Sequence, residues 1–311
     1  MGIDEQRLDG AVRRGVAARI GIALLNLVSP GLGLQRLSQP LWLFYAVWLI
    51  ALDAGLLAIF ALVRDISFRG IGLVVSAYLV AVLAAFLASM WQSWRRSALV
   101  APSPPWWSRW YGLLLSWAGM AALANLAVVG FHSFYKSYYI PAGSMMPTLR
   151  VNDRLLADMR PGALKRGDVV IVDAGRSDYV KRIAALPGDR IAMKGGIVFI
   201  NGAAIPQIQV GHETLRGFGP AIEGKTLTER LPGEAHNHLV IDTGYSDGDD
   251  VAPILMGPNQ YYLLGDNRDL SADSRYPASQ MGLGVVDRSR IKGRALFRYW
   301  RPGVGLVAAN L

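Results

Sequence analysis

Asp168 to Asp189 reads DVVIVDAGRSDYVKRIAALPGD, and its reading decides the class of the second half of the chain. Two short apolar runs, DVVIVDA and YVKRIAAL, are rich in Val and Ile and are closed off by Gly175 and then by Pro187 and Gly188. Branched apolar side chains alternating with polar ones between Gly and Pro punctuation read as β-strands. Working outward, the same pattern recurs in RIAMKGGIVFING (190–202), HLVIDTG (238–244) and QYYLLGD (260–266). Residues 132–311 are therefore expected to form a mainly-β domain of about 180 residues, with a less conventional insert at about 202–258.

Upstream the pattern is different. Three runs, Leu41–Val63, Gly70–Trp91 and Tyr111–Phe131, are each long and apolar enough for a helix to cross a bilayer, which takes about 20 residues. An earlier run, Val16–Val28, is shorter and ends in SPGLG, so it reads as interfacial or re-entrant. It is followed by Arg36 and further spans rather than by a small-x-small cleavage site, which does not fit a cleavable leader. Residues 1–131 hold ten Arg, no Lys and five acidic residues. Arg7, Arg13, Arg14, Arg19 and Arg36 precede the first span, and Arg95, Arg96 and Arg109 lie between the second and third; the excess of basic residues in cytoplasmic loops then puts His132 onward outside. Trp91 and Trp94, and Trp106, Trp107 and Trp110, read as interfacial anchors. Asp53 falls inside a span and reads as a carboxylate paired within the helix bundle.

The chain of 311 residues is 52% hydrophobic and carries a formal charge of +9, but its basic residues are dispersed and form no stripe suited to nucleic acid. It has no Cys, which excludes disulfides, thiolate zinc sites and a thiol nucleophile together. His236 and His238 make at best a weak metal pair and read as parts of a solvated loop; neither they nor His132 and His212 offer a base for a nucleophile.

The candidate nucleophile is Ser144 in IPAGSMMPTL (140–149), where Gly143 lets a backbone approach closely and Pro147 fixes a turn. A Ser hydroxyl needs a base. Lys181 stands inside an apolar strand, on the face opposite Val180 and Arg182, and a desolvated Lys loses its proton readily. GDNRDLSADSR (265–275) is the third element, a run of small and oppositely charged residues able to form a buried network that orients an amine.

SMMPTL, GDVV, YVKRIAALPGD and GDNRDLSADSR occur in the order and at about the separations of the signature segments of bacterial type I signal peptidases, which this chain resembles over most of residues 134–192 and 258–295. The resemblance implies a membrane-anchored serine endopeptidase whose catalytic domain faces the periplasm or outer surface, with no cofactor and no metal. It implies signal peptides with small residues at positions −1 and −3 as substrates, and membrane lipid and the secretion translocon as partners. Carried over residue by residue, it makes Ser144 the nucleophile and Lys181 the general base. Ser271 would hydrogen-bond the Lys181 amine, and Asp273 and Arg275 would form an adjacent ion pair. Asp168, Asp266, Asn267, Arg268 and Asp269 would be structural support. Ile140, Ala142, Met145, Leu149, Tyr179 and Val180 would line the substrate pockets.

One position departs from the pattern. Many members carry a Ser two residues before the nucleophile as an oxyanion donor, and here it is Ala142; loss of one such donor costs about 2.7–4 kcal/mol, so a backbone N–H or water is expected to take its place. The rival readings are a maturation peptidase devoted to one substrate and a catalytically silent membrane-anchored binding protein.

Overall fold

The computed structural model describes residues 14–62, 68–98, 104–215, 221–244 and 246–311. Arg7, Arg13 and Val63 lie outside the described residues. The chain divides into a helical unit that ends at Ser133 and a β unit that begins at Phe134.

The helical unit comprises α1 (Val16–Leu24), α2 (Leu32–Arg36), α3 (Leu41–Leu62), α4 (Phe68–Arg96) and α5 (Trp110–Phe134). Three of these, α3, α4 and α5, are long and apolar enough to cross a membrane. α4 runs five residues beyond the apolar run that announced it, carrying Trp91 and Trp94 to the basic end at Arg95 and Arg96. α1 stops after nine residues, and the chain turns through Pro30 and Gly31, whose φ of 94° suits glycine. Asn26, fully buried, closes this turn: its side-chain oxygen accepts from the N–H groups of Gly31 (3.0 Å) and Gly33 (3.2 Å), and its amide donates to Ser93 Oγ (3.0 Å). Asp53 has a partner within the unit, since Tyr78 donates its hydroxyl to the carboxylate at 2.7 Å.

The β unit is antiparallel throughout its sheets. It runs β1 (Tyr135–Tyr139), β2 (Arg154–Asp158), β3 (Val169–Asp173), β4 (Asp178–Ala185), β5 (Arg190–Lys194), β6 (Ile197–Ile200), β7 (Ala203–Ala204), β8 (Ile208–Leu215), β9 (Ile222–Glu229), β10 (His238–Asp242), β11 (Val251–Leu255), β12 (Gln260–Leu264), β13 (Val286–Asp287), β14 (Ile291–Arg301) and β15 (Gly305–Asn310). The largest sheet has the order β1-β2-β14-β3-β4-β12-β13, with β15 added to β14. β14 is eleven residues long and shifts register against β2, β3 and β15, so one strand serves three neighbours by bending. Smaller sheets, β10-β9-β8 and β11-β5-β6-β7, are built largely from the stretch read as an insert. Five strands, β7 to β11, lie within that stretch.

β3 shows why its apolar run is unbroken. Val169 and Ile171 pack with Ile140, Met145, Leu149 and Leu155 on one face, while Val170 and Val172 pack with Ile183, Leu263 and Val286 on the other. With period-two side chains and both faces covered, no position from Val169 to Val172 is left for a polar residue, and the first one, Asp173, stands at the half-buried end of the strand. β4 pairs with β3 in the register Val170 to Lys181 and Ile171 to Val180, and from Lys181 to Ala185 every one of its residues is buried.

Candidate active site

The loop joining β1 to β2 carries Ser144, and the core fixes it from below. Met145 and Leu149 are 1% and 0% exposed, and the Leu149 N–H donates to the Met145 carbonyl at 2.8 Å. At the base of the loop Ile140 and Asp153 exchange backbone contact through the Ile140 N–H (3.0 Å), and the Asp153 carboxylate takes the Arg150 N–H (2.8 Å) and Arg301 (2.7 Å). Apolar anchors at 145 and 149 leave Ser144 at the rim, half-buried, next to exposed Ala142.

The second clamp comes from the segment after β12. The Asn267 N–H donates to the Ser144 carbonyl and its side-chain amide to the Gly143 carbonyl, each at 3.1 Å. Gly265 makes this approach possible: a Cβ there would stand 2.1 Å from Ser271 Oγ and 2.6 Å from the Ser144 carbonyl oxygen. Asp266 accepts the Thr148 hydroxyl at 2.6 Å, so the loop is held on both sides of Ser144.

Lys181 reaches this loop from β4. Its Nζ lies 2.9 Å from Ser144 Oγ, and 5.3 Å from the Tyr179 ring centroid. At 2% exposure it has almost no water to solvate an ammonium. Burial lowers its pKa to about 8, against the pull of Asp273 and Asp266 and with the help of Arg275. The two nearby carboxylates are each committed to an arginine. Asp273 and Arg275, both wholly buried, pair at 2.9 Å, and Asp273 also takes the Gly265 N–H at 2.9 Å. Asp266 is gripped by Arg182 through Nε (2.8 Å) and Nη2 (2.7 Å). A neutral amine so placed is within reach of the Ser144 hydroxyl proton, a geometry that can activate a serine. The Ser144 N–H has no acceptor among the described residues, and the Ala142 side chain offers no donor.

Several residues differ from their sequence reading. Ser271 Oγ is buried and has no hydrogen-bond partner among the described residues; it lies against Gly265 while the Lys181 amine is turned to Ser144. Ile140, Met145 and Leu149 belong to the buried core below the loop, so only Ala142, Tyr179 and Val180 of the expected pocket residues present appreciable surface. Asp168 caps the turn before β3 by accepting the Lys165 N–H at 2.8 Å, and Asp269 holds Thr243 through its N–H and, at 2.9 Å, its hydroxyl. His236 is exposed, but His238 is not in a solvated loop: it is buried on β10, its ring between Glu229 and Glu234. Arg182, expected on a face away from Lys181, is buried as the partner of Asp266. Its one sequence signal was a second cation inside an apolar strand. Among the described residues no group of three or more His, Cys, Asp and Glu is placed to hold a metal ion.

The chain matches the family model described as signal peptidase, peptidase S26, over residues 113–300. It is 29% identical to signal peptidase I S of Bacillus subtilis over 191 residues, which is 60% of this chain and 89% of that protein. It is also 29% identical to signal peptidase IB of Staphylococcus aureus over 192 residues, 60% of this chain and 90% of the other. A solved signal peptidase I from Enterococcus faecalis aligns with 43% of this chain and 97% of its own at 19% identity, with a TM-score of 0.24.

Two outcomes follow from the geometry. Lys181→Met should abolish activity yet stabilise the fold at neutral pH. Folding with the ammonium charged costs the difference between its ordinary value of 10.5 and about 8, on the order of 3 kcal/mol. Between those values the unfolded chain binds more protons, so wild-type stability rises with pH there and the advantage of the variant shrinks; melting temperatures from pH 6 to 10 check this. Gly265→Ala should leave the circular dichroism spectrum unchanged and lower kcat by at least about tenfold, because the added methyl displaces the Ser144 carbonyl.

Proposed function

This chain belongs to the signal peptidase family S26, and from that premise we propose that Ser144 and Lys181 are its catalytic pair. The chain is a membrane-anchored serine endopeptidase that removes signal peptides from preproteins. The observation that supports the assignment of the pair is the 2.9 Å contact between a buried amine and the Ser144 hydroxyl. Neutral Lys181 takes the hydroxyl proton as Oγ attacks the scissile carbonyl. The Ser144 N–H, which has no acceptor among the described residues, would stabilise the oxyanion. The protonated amine then gives its proton to the leaving nitrogen, and water activated by the same Lys181 releases the acyl ester.

Ala142, Tyr179 and Val180 are proposed to meet the small side chains at positions −1 and −3, with Ile140, Met145 and Leu149 as the floor beneath them. An extended peptide gains main-chain hydrogen bonds along a strand and specificity from alternate side chains. We place the catalytic unit on the outer face of the bacterial cytoplasmic membrane. The support is the grouping of Arg14, Arg19 and Arg36 before α3 and of Arg95, Arg96 and Arg109 between α4 and α5. Lipid and the secretion translocon are then its immediate neighbours, because an emerging signal peptide presents its cleavage site at that surface.

The test is processing of several unrelated preproteins in detergent. Ser144→Ala and Lys181→Ala should each lower cleavage by at least about a thousandfold, and the wild-type rate should rise with pH through about 8 as Lys181 loses its proton. Wild-type processing by both variants would leave a silent binding protein as the answer; cleavage of a single preprotein would point to a dedicated maturation enzyme.

A further inference from the structure

The insert's sheet carries a buried polar cluster that the proposed reaction does not use. Glu229, at the end of β9, is 1% exposed and accepts from both Arg268 terminal nitrogens, at 2.9 Å through Nη1, and from Gln207 at 2.6 Å. Burial alone would raise its carboxyl, but Arg268, His238 and Gln207 bring it down to about 2. His238 opens β10 opposite Glu229 in the register of the pair. Its Nδ1 lies 3.1 Å from Glu234 Oε2, and its Nε2 lies 3.5 Å from Glu229 Oε2 with no closer partner among the described residues.

A neutral imidazole has one N–H and one lone pair. Here both ring nitrogens face carboxylates, so the neutral ring would turn a lone pair on one of them. The imidazolium turns an N–H on each: Nδ1 is hydrogen-bonded to Glu234, and Nε2, without a hydrogen-bond partner among the described residues, faces Glu229 as a charge contact. The charged groups facing His238 are Glu229 on β9, Glu234 in the turn before β10, Arg182 on β4 and Asp266 after β12, with Arg268 beyond Glu229. With His238 charged, the cations Arg182, Arg268 and His238 balance the anions Glu229, Glu234 and Asp266. With His238 neutral, one buried negative charge is left over, which a low-dielectric interior penalises.

This cluster is joined to the nucleophile by a short path. Arg268 sits one residue after Asn267, whose N–H and amide hold Ser144 and Gly143. The Arg268 carbonyl is capped by Arg275, the partner of Asp273. β10 adds a direct tie, the Ile241 N–H donating to the Asp266 carbonyl at 2.8 Å.

Resting on the reading of Ser144 as nucleophile, we propose that His238, as an imidazolium between Glu229 and Glu234, is a positioning residue for Ser144. It balances the buried charge through which the insert's sheet holds Arg268 and the 265–271 loop. The inference gives the insert a part in catalysis that reaches the reacting atoms only through Asn267 and Asp266.

The experiment measures kcat and KM against pH for the full-length wild type, His238→Gln, and the double variant His238→Gln with Glu234→Gln, using a synthetic signal peptide in detergent. His238→Gln should lower kcat about tenfold at pH 7 with KM within about twofold, and the double variant should recover most of the loss because one cation and one anion have been removed together. Nitrogen NMR of histidine-labelled wild type should show one imidazole protonated at both nitrogens at pH 7, lost in His238→Gln. An unchanged kcat in His238→Gln, a loss not recovered in a folded double variant, or a neutral His238 signal at pH 7 overturns the proposal. Ser144→Ala, run alongside, separates the two readings: if it keeps the wild-type rate, the nucleophile assignment has failed and this inference goes with it.

Discussion

A lysine ammonium shut away from water is the constraint on which the β unit turns. Lys181 sits on a strand covered on both faces, and desolvation is the largest influence on its proton. Two carboxylates close by would ordinarily hold that proton in place. Each is instead spoken for by an arginine of its own, Asp273 by Arg275 and Asp266 by Arg182. Because these pairs are neutral as units, the pull on the lysine stays small enough for burial to win. In the proposed reaction the ion pairs therefore count for what they withhold from Lys181 as much as for the loops they brace.

The same pairs explain the traffic of hydrogen bonds around the serine. Asp266 takes Thr148 from one side of the 140–149 loop, while Asn267 takes the carbonyls of Gly143 and Ser144 from the other. The segment after β12 is in turn backed by the insert, through Ile241, Thr243 and Glu229. Three layers of chain, far apart in sequence, thus converge on one hydroxyl. The loop keeps its rim position because Met145 and Leu149 are sunk in the core and leave Ser144 nowhere to retreat.

What was legible in the sequence were features carried by local pattern. The apolar runs named α3, α4 and α5, and the Val-rich stretches named β3 and β4, because length and periodicity are properties of neighbouring residues. Ser144 and Lys181 were candidates from their local settings and took their roles from the resemblance, and the contact between them became visible only with the fold. The features that escaped depend on partners distant in the chain. Arg182 could be placed only on the face of its strand opposite Lys181, because its partner Asp266 is 84 positions away. His238 looked like a loop residue, since its pairing with Glu229 across the sheet is not announced by its neighbours in sequence. Ser271 was read as the partner of the amine, but its reach is set by how closely Gly265 packs, which no spacing rule encodes.

The long reach of these contacts has a consequence for the order in which the protein comes into being. The backbone of Gly143 is completed by Asn267, 124 residues further along. Asp153, at the base of the same loop, waits for Arg301, 148 residues on. A chain emerging from synthesis has therefore exposed its serine and its membrane helices long before it owns a working centre, and such non-local closure comes late in folding.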